Sequence, residues 1–123
     1  MGSFHLKRVY DPPDPEDGVR VLVDRLWPRG LKTKEAGVDI WCKDVAPSTE
    51  LRRWFHQDSS RWEEFAHRYR QELEAQATAI EQLLAQIRGK RATLVYGARD
   101  SRHTHARVLK EVLEKRSSSR SPA

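Results

Sequence analysis

Four basic side chains lie just after segments that are expected to form strands, where they could bind an anion. They are Arg25, Arg29, Lys43 and Arg99. An arginine guanidinium group can bind phosphate or carboxylate through two parallel hydrogen bonds, and lysine supplies a compact positive charge. Ser48 precedes an expected helix, so its hydroxyl and the first helical N–H groups would add to the same attraction. These residue types predict a binding site for a small anionic or phosphorylated ligand.

Three further side chains have the chemistry of acid–base catalysis. Asp24, Asp100 and His103 lie beside these cations in the sequence, and proton transfer needs a carboxylate or an imidazole near the reacting group. We take Asp24 and Asp100 as candidate catalytic carboxylates and His103 as a candidate ligand-binding residue. The alternative is that Asp24, Asp44 and Asp100 neutralise the neighbouring cations in a structural network of ion pairs that fixes the loops. The sequence leaves both interpretations open.

The sequence predicts no metal site and no cofactor. Its single cysteine, Cys42, has no partner for a disulfide or a zinc site, and beside Trp41 it is expected to be a small core residue. His103 and His105 form a His-x-His pair without further spaced ligands, which favours a position on the surface or at the start of a helix. The sequence also lacks a glycine-rich dinucleotide motif, a phosphate-loop motif and a serine nucleophile elbow.

Four short segments have the composition of strands that would position these side chains. They are residues 4–10, 19–23, 38–45 and 92–96. The last, ATLVY, is apolar or β-branched throughout, which is typical of a strand covered by helices on both faces of a mainly parallel sheet. Because the carboxyl ends of parallel strands meet at one edge, the loops after them are expected to surround one crevice.

Apolar residues at helical spacing fill most of the chain between the third and fourth strands. Ser48 is the expected N-cap of a first helix, while Asp58 and the capping-box spacing of Ser60 and Glu63 mark the start of a second. The apolar stripe of the second helix begins at Trp62 and the pattern continues to Ile87, while a last helix carries residues 108–113. The sequence therefore predicts an α/β fold: a single small domain with a three- to four-stranded, mainly parallel sheet flanked by helices.

The chain has the size of one domain and a positive charge that is concentrated at its end. It has 123 residues and a formal net charge of +5, and Lys115, Arg116 and Arg120 lie near its end without an acidic residue among them. We expect residues 1–114 to form the α/β domain and residues 115–123 to be a mobile basic, Ser-rich tail. No apolar run approaches the about 20 residues of a membrane helix and the start lacks a secretory signal, so we expect a cytoplasmic protein without membrane contact.

Four segments contain tryptophan and arginine motifs in a fixed order. They are DRLWPRG (24–30), WCKDVAPSTELRRWF (41–55), DSSRWEEF (58–65) and YGARDSRHTHARVL (96–109). These motifs resemble the YeaO-like family, which is domain of unknown function family 488, and the resemblance runs from about Val9 to about Leu113. It implies a bacterial α/β protein of unestablished activity and leaves the function open. Thr104 stands where the family is expected to have asparagine, so a role that requires an amide there is not supported.

Three functions remain compatible with the sequence. The first is binding, with or without chemical transformation, of a small anionic or phosphorylated ligand at the cationic edge. The second is a nucleic-acid-binding or regulatory module, since tryptophans near arginines can stack on bases; Trp54 and Trp62 are expected to be buried, which leaves Trp27 as the exposed aromatic. The third is an interaction protein whose ion pairs are purely structural. Neither a reaction nor an oligomeric state follows from the sequence.

Overall fold

Four parallel strands form one sheet in the computed structural model, which describes residues 4–119. The strands are β1 (Phe4–Arg8), β2 (Val19–Leu22), β3 (Ile40–Trp41) and β4 (Ala92–Tyr96), and their order across the sheet is β1, β4, β2, β3. Leu94, at the centre of β4, lies opposite Leu6 on one side and Val21 on the other. This arrangement confirms the predicted α/β class with a parallel sheet.

The strands β1 and β3 are shorter than predicted, for local reasons. β1 ends where the chain turns, with the N–H of Asp11 donating to the carbonyl of Arg8 at 3.0 Å. Before β3, the backbone N–H of Asp39 still donates to the carbonyl of Arg20, but the N–H of Arg20 donates at 2.9 Å to the Asp39 carboxylate and not to a backbone carbonyl. After β3, residues Lys43–Val45 fold into a 3₁₀ turn. A side-chain bond on one side and a turn on the other therefore limit β3 to two residues.

Five α-helices lie within the part of the chain that the structure describes. They are α1 (Thr33–Ala36), α2 (Thr49–Gln57), α3 (Trp62–Ala75), α4 (Ala77–Ile87) and α5 (His105–Ser119). The predicted N-cap of α2 is confirmed, because the N–H of Leu51 donates to the Ser48 hydroxyl at 3.1 Å. The predicted capping box at Ser60–Glu63 is wrong. Asp58, the other residue that marked this start in the sequence, caps a 3₁₀ turn before α3, and its carboxylate accepts the N–H of Ser60 at 3.0 Å.

The sheet has a large core on one face and a small one on the other. On the first face, side chains such as Val21 and Leu94 pack against α2, α3, α4 and α5. On the opposite face, a smaller cluster is covered by the segment between β2 and β3, which contains α1. Its members are Val9, Leu22 and Val95, with Trp27, Leu31 and Val38 packed against them. We expected helices on both faces of β4; the long helices cover only one, because the β2–β3 segment is mostly loop.

A buried arginine accompanies the smaller cluster. Arg20 lies two residues before Leu22 and therefore on the same face of β2, and only 3% of its surface is exposed. Its guanidinium group donates to Asp17 Oδ2 at 2.7 Å and to the carbonyl of Ala36 in α1 at 2.9 Å. Lys7 Nζ lies 3.1 Å from the same carboxylate oxygen. These contacts connect β1, β2 and α1, and they give the buried positive charge of Arg20 a negatively charged partner in Asp17.

Helix α5 extends beyond the domain boundary that the sequence predicted. We expected the domain to end at residue 114, whereas α5 continues to Ser119, and Arg116 Nη1 lies 3.4 Å from Glu81 Oε2 of α4. The remainder of the predicted tail, residues 120–123, lies outside the described residues. None of the helices in residues 4–119 combines the length and apolar character needed to cross a bilayer.

Candidate functional site

A cleft of about 530 Å³ lies at the carboxyl ends of β2 and β4, and we call it the carboxyl-end cleft. Its walls come from the segment after β2, from α2, and from the loop between β4 and α5, while Phe55 and Phe65 add aromatic surface. Its charged and ionisable lining residues are Asp24, Arg25, Arg52, His56, Arg99, Asp100, His103 and His105. Cations, carboxylates and imidazoles therefore face one hollow that also has an apolar wall.

The cleft brings together most of the residues that the sequence singled out for chemistry. Asp24, Arg25, Arg99, Asp100 and His103 all line it. The reason is topological: β2 and β4 are neighbouring parallel strands, so the loops that follow them begin side by side. Residues far apart in the chain thus reach the same edge of the sheet.

Two of the predicted anion-binding cations lie outside the cleft lining formed by the described residues. Lys43 follows the outermost strand, β3, and its Nζ lies over the ring of Trp41, 4.1 Å from the ring centre. Arg29 is exposed, and its carbonyl accepts the hydroxyl of Tyr10 at 3.0 Å. Because β3 is an edge strand beside β2, the loop after it does not bring Lys43 to the end of β4. Binding of an anion by Arg29 or Lys43 stays a prediction without support from the cleft.

The start of α2 is already bonded to a carboxylate of the protein itself. The N–H of Ser48 donates to Glu72 Oε1 at 2.8 Å, and the Ser48 hydroxyl donates to Glu72 Oε2 at 2.6 Å. A negative side chain is favourable at the positive end of a helix. Glu72 on α3 therefore holds the start of α2 in place, and Ser48, which we expected to contact a ligand, has a structural partner instead.

Replacing Glu72 with alanine is expected to lower the free energy of unfolding by about 2 kcal/mol, because the N–H and the hydroxyl of Ser48 both lose their charged acceptor. Urea denaturation of the wild type and the variant measures this change. Glu74→Ala is the matched control, since Glu74 is an exposed glutamate of the same helix. Equal losses in the two variants would show that the bond to Ser48 does not stabilise the fold.

Asp24 and His105 form a largely buried pair in the cleft. Asp24 Oδ2 accepts the N–H of Gly97 at 2.8 Å, and Asp24 Oδ1 lies 3.5 Å from His105 Nε2. The same Nε2 lies 3.0 Å from the carbonyl of Val23 and must carry the proton, because a carbonyl can only accept. Burial raises the pKa of Asp24, although His105 and the Gly97 N–H oppose this effect. Burial also lowers the pKa of His105, although Asp24 opposes it, so the imidazole is neutral at neutral pH.

Asp100 organises the loop between β4 and α5. Its Oδ1 accepts the N–H of Arg102 at 2.8 Å and that of His103 at 3.1 Å. These backbone hydrogen bonds lower the pKa of the Asp100 carboxyl, which is therefore ionised at neutral pH. Its Oδ2 lies 3.4 Å from His103 Nδ1, and the ring of His103 lies 5.1 Å from that of Trp62. The carboxylate thus has a structural role in the turn that carries Arg99 to the cleft.

The carboxylates beside the cleft arginines in the sequence do not neutralise them in the fold. Within residues 4–119, Asp24 and Asp100 make their close polar contacts with histidines and backbone N–H groups. Arg25 donates three long hydrogen bonds of 3.3–3.4 Å to the two backbone carbonyls that precede Ser48. The structural network of ion pairs that the sequence left open is therefore not formed by these arginines with their neighbouring aspartates.

Sequence reasoning missed Arg52, His56 and the inward position of His105. Arg52 and His56 are four residues apart and so share one face of α2, whose first turn starts at the cleft. Arg52 lies one helical turn after the predicted N-cap Ser48, and this spacing is the sequence signal that could have identified it. His105 is the first residue of α5, as one interpretation expected, but only 14% of its side chain is exposed. Its contacts with Val23 and Asp24, just after β2, are long-range and leave no local signal.

The tryptophans and the cysteine have packing roles. Trp27, which we expected to be the exposed aromatic, is half-buried and donates its Nε1–H to a backbone carbonyl at 2.7 Å. Trp41 is more exposed and meets Trp27 edge to face. Trp54 and Trp62 are partly buried against the large core. Cys42 is also partly buried there, and burial raises the pKa of its thiol, which disfavours the reactive thiolate.

Comparison with known proteins places almost the whole chain in one family. Residues 3–122 match a family model described as "Inactive DUF488-N3 subclade". The uncharacterized protein Rv3073c of Mycobacterium tuberculosis is 47% identical over 110 residues, which are 89% of this chain and 92% of that protein. The uncharacterized protein YeaO of Escherichia coli is 45% identical over 112 residues, which are 90% of this chain and 96% of that protein. No solved structure matches the chain.

Proposed function

Since the chain belongs to the YeaO-like DUF488 family, in a subclade described as inactive, we propose that it binds a small anionic ligand in the carboxyl-end cleft without transforming it. The observation that carries this proposal is the convergence of Arg25, Arg52 and Arg99 on one cleft of about 530 Å³. A cleft of that volume suits a small molecule. Three guanidinium groups around it suit phosphate or carboxylate.

The charge balance of the cleft supports an anion as the ligand. Both lining carboxylates already accept backbone hydrogen bonds at one oxygen: Asp24 Oδ2 accepts from Gly97, and Asp100 Oδ1 accepts from its own loop. Among the described residues, neither Arg52 nor Arg99 forms an ion pair with an acidic side chain, so their positive charges are available to a ligand. The aromatic wall adds apolar surface for a carbon-containing part of such a ligand.

Two considerations favour binding over catalysis. The subclade is described as inactive. Asp100, one of the two carboxylates with catalytic potential, has a lowered pKa and is held by backbone N–H groups, so it is a poor proton carrier at neutral pH.

Replacing both Arg52 and Arg99 with glutamine is expected to weaken binding of inorganic phosphate by at least about tenfold, because each charge-assisted hydrogen bond contributes about 1.5–3 kcal/mol. Isothermal titration calorimetry of phosphate into each protein measures the affinity. The double variant Arg53→Gln, Arg102→Gln is the matched control. It makes the same charge change at exposed positions of the same helix and the same loop, outside the cleft lining.

The proposal fails if the wild type binds neither phosphate nor any small carboxylate or phosphate ester in a ligand panel. It also fails if the two double variants lose affinity equally, since the effect would then reflect net charge alone. Binding of a single-stranded oligonucleotide that weakens steeply with salt and survives the Arg52 and Arg99 changes would support the nucleic-acid module instead.

A further inference from the structure

The least exposed ionisable groups of the carboxyl-end cleft are hydrogen-bond acceptors that the protein does not fully use. Asp24 Oδ2 is occupied by the Gly97 N–H at 2.8 Å. Asp24 Oδ1 has only the His105 Nε2 nearby, at a long 3.5 Å, and that N–H points to the carbonyl of Val23 at 3.0 Å. Oδ1 therefore keeps lone pairs that no donor in residues 4–119 satisfies at ordinary hydrogen-bond length.

His105 supplies a second acceptor to the same cleft. With the proton on Nε2, the other ring nitrogen, Nδ1, carries a lone pair. No donor in the described part of the chain bonds to Nδ1, and no polar side-chain atom there is both buried and without a hydrogen bond. Nδ1 is therefore not fully buried, and His105 lines the cleft.

The side chains packed around Asp24 and His105 leave both of them as hydrogen-bond acceptors. Arg52 on α2 brings a positive charge to both side chains. The ring of Tyr69 on α3 meets the ring of His105 edge to face at 5.9 Å, but its hydroxyl donates to the carbonyl of Val45. The lining of the cleft thus combines guanidinium donors with two residues, Asp24 and His105, that each keep an acceptor atom without a protein donor.

The unused acceptors of Asp24 and His105 affect which kind of anion can bind in this cationic cleft. An oxyanion without a proton, such as sulfate, would place an oxygen lone pair against Asp24 Oδ1 and leave that acceptor desolvated and unpaired. An oxyanion with its own O–H can donate to the acceptor while its other oxygens accept from the arginines. Leaving a buried acceptor unpaired costs about 1–3 kcal/mol, which is a factor of about 5 to 150 in affinity.

We infer that the carboxyl-end cleft selects an oxyanion that carries its own O–H, of which hydrogen phosphate is the simplest, over a fully ionised oxyanion of the same shape and charge. This inference rests on the proposed function, because it names the class of anion that the cleft binds. The donor of the ligand pairs with Asp24 Oδ1 or His105 Nδ1, and its ionised oxygens pair with Arg25, Arg52 and Arg99.

The test compares hydrogen phosphate with sulfate at pH 8, where both are tetrahedral dianions and only phosphate has an O–H. The lowered pKa of His105 leaves its imidazole neutral at this pH, and an alkaline pH favours the ionised form of Asp24, whose pKa is raised by burial. Calorimetric titration of the wild type is expected to give a dissociation constant at least about tenfold lower for phosphate than for sulfate.

The variant Asp24→Asn tests the acceptor directly. Its amide oxygen can still accept the Gly97 N–H, while its NH₂ group offers a donor where Oδ1 offered an acceptor. We expect the preference for phosphate to shrink to about twofold or less, chiefly because sulfate binds more tightly. Asp44→Asn, an exposed aspartate outside the cleft lining, is the control and should keep the wild-type preference.

The outcomes separate this inference from the function on which it rests. Equal affinities of the wild type for phosphate and sulfate would overturn the selectivity and leave the anion-binding function standing. Binding of neither ion, nor of any other small anion, would remove both. Circular dichroism shows whether Asp24→Asn folds. If it does not, the phosphate and sulfate affinities of the wild type still test the inference. A preference for sulfate of about tenfold, or no preference, refutes it.

Discussion

Replacing Asp17 with alanine is expected to lower the free energy of unfolding by about 3–5 kcal/mol, because Arg20 would stay buried without its ionised partner. Arg20 is only 3% exposed, and its Nη1 lies 2.7 Å from Asp17 Oδ2. The same carboxylate accepts from Lys7 Nζ at 3.1 Å and from the N–H of Asp14 at 3.0 Å. Small domains are typically stable by about 5–15 kcal/mol, so the variant should lose a large part of its stability.

Glu16→Ala is the matched control for Asp17→Ala. Glu16 is the neighbouring acidic residue and also forms an ion pair, with Arg91 at 2.8 Å, but 83% of its side chain is exposed. An exposed ion pair contributes about 0–1 kcal/mol. Urea denaturation of both variants should therefore show a small loss for Glu16→Ala and a large one for Asp17→Ala. Similar losses of unfolding free energy would mean that burial of the Asp17–Arg20 ion pair does not determine how much it stabilises the fold.

The contribution of Asp17 should also depend on pH in a defined direction. Burial works against ionisation of this carboxyl, but hydrogen bonds from Arg20 and Lys7 outweigh it and hold its pKa below the ordinary value of 3.8. A group with a lowered pKa in the folded state stabilises the fold fully above its unfolded pKa, and the contribution is lost as the pH falls through the folded pKa. The stability gap between the wild type and Asp17→Ala should therefore be constant near neutrality and narrow below about pH 4.

The parts of the fold that could be predicted from the sequence are those with a strong local pattern. Every residue of β4 is buried, as its unbroken apolar composition indicated. Helix α1 escaped prediction because it has four residues and only Ala36 is buried. Its last carbonyl is held by the guanidinium group of Arg20, a contact that no local pattern encodes.

The candidate site shows the same division between local and long-range information. Arg25 and Arg99 follow strand ends, so a parallel sheet was enough to place them at one edge. Ser48 was correctly predicted as an N-cap, but the carboxylate that occupies its N–H and hydroxyl comes from Glu72, on a different helix. The sequence contains the donor and the acceptor without indicating that they meet.

The contacts that stabilise the sheet lie away from the cleft. Asp17 and Gly18 precede β2, whereas Asp24 and Arg25 follow it. The backbone carbonyl of Asp17 accepts the hydroxyl of Thr93 on β4 at 2.8 Å, which ties the start of β2 to the central strand. Substitutions at the start of β2 should therefore change stability first, and those at the cleft should change affinity first.

Replacing Gly18 with alanine is expected to lower the free energy of unfolding by more than about 3 kcal/mol, because backbone strain and a steric clash act together. Gly18 has φ +65° and ψ −133°, a combination that side chains other than hydrogen rarely permit. An added Cβ would lie 2.2 Å from the carbonyl oxygen of Arg91. That oxygen accepts the N–H of Val19 at 2.9 Å, where β2 begins to pair with β4.

Gly89→Ala is the comparison variant, since Gly89 also has a positive φ, of 75°, but no atom within 4 Å of the added Cβ. It should lose only about 1–2 kcal/mol, the usual cost of a positive φ in a residue with a Cβ. Chemical denaturation measures the free energy of unfolding of both variants. Equal losses would show that the Arg91 carbonyl moves away from the added Cβ without a loss of stability. Because the clash lies at the start of β2 and the cleft at its end, Gly18→Ala molecules that remain folded should bind phosphate like the wild type. A loss of affinity in that folded population would mean that the start of β2 and the cleft are coupled through the sheet.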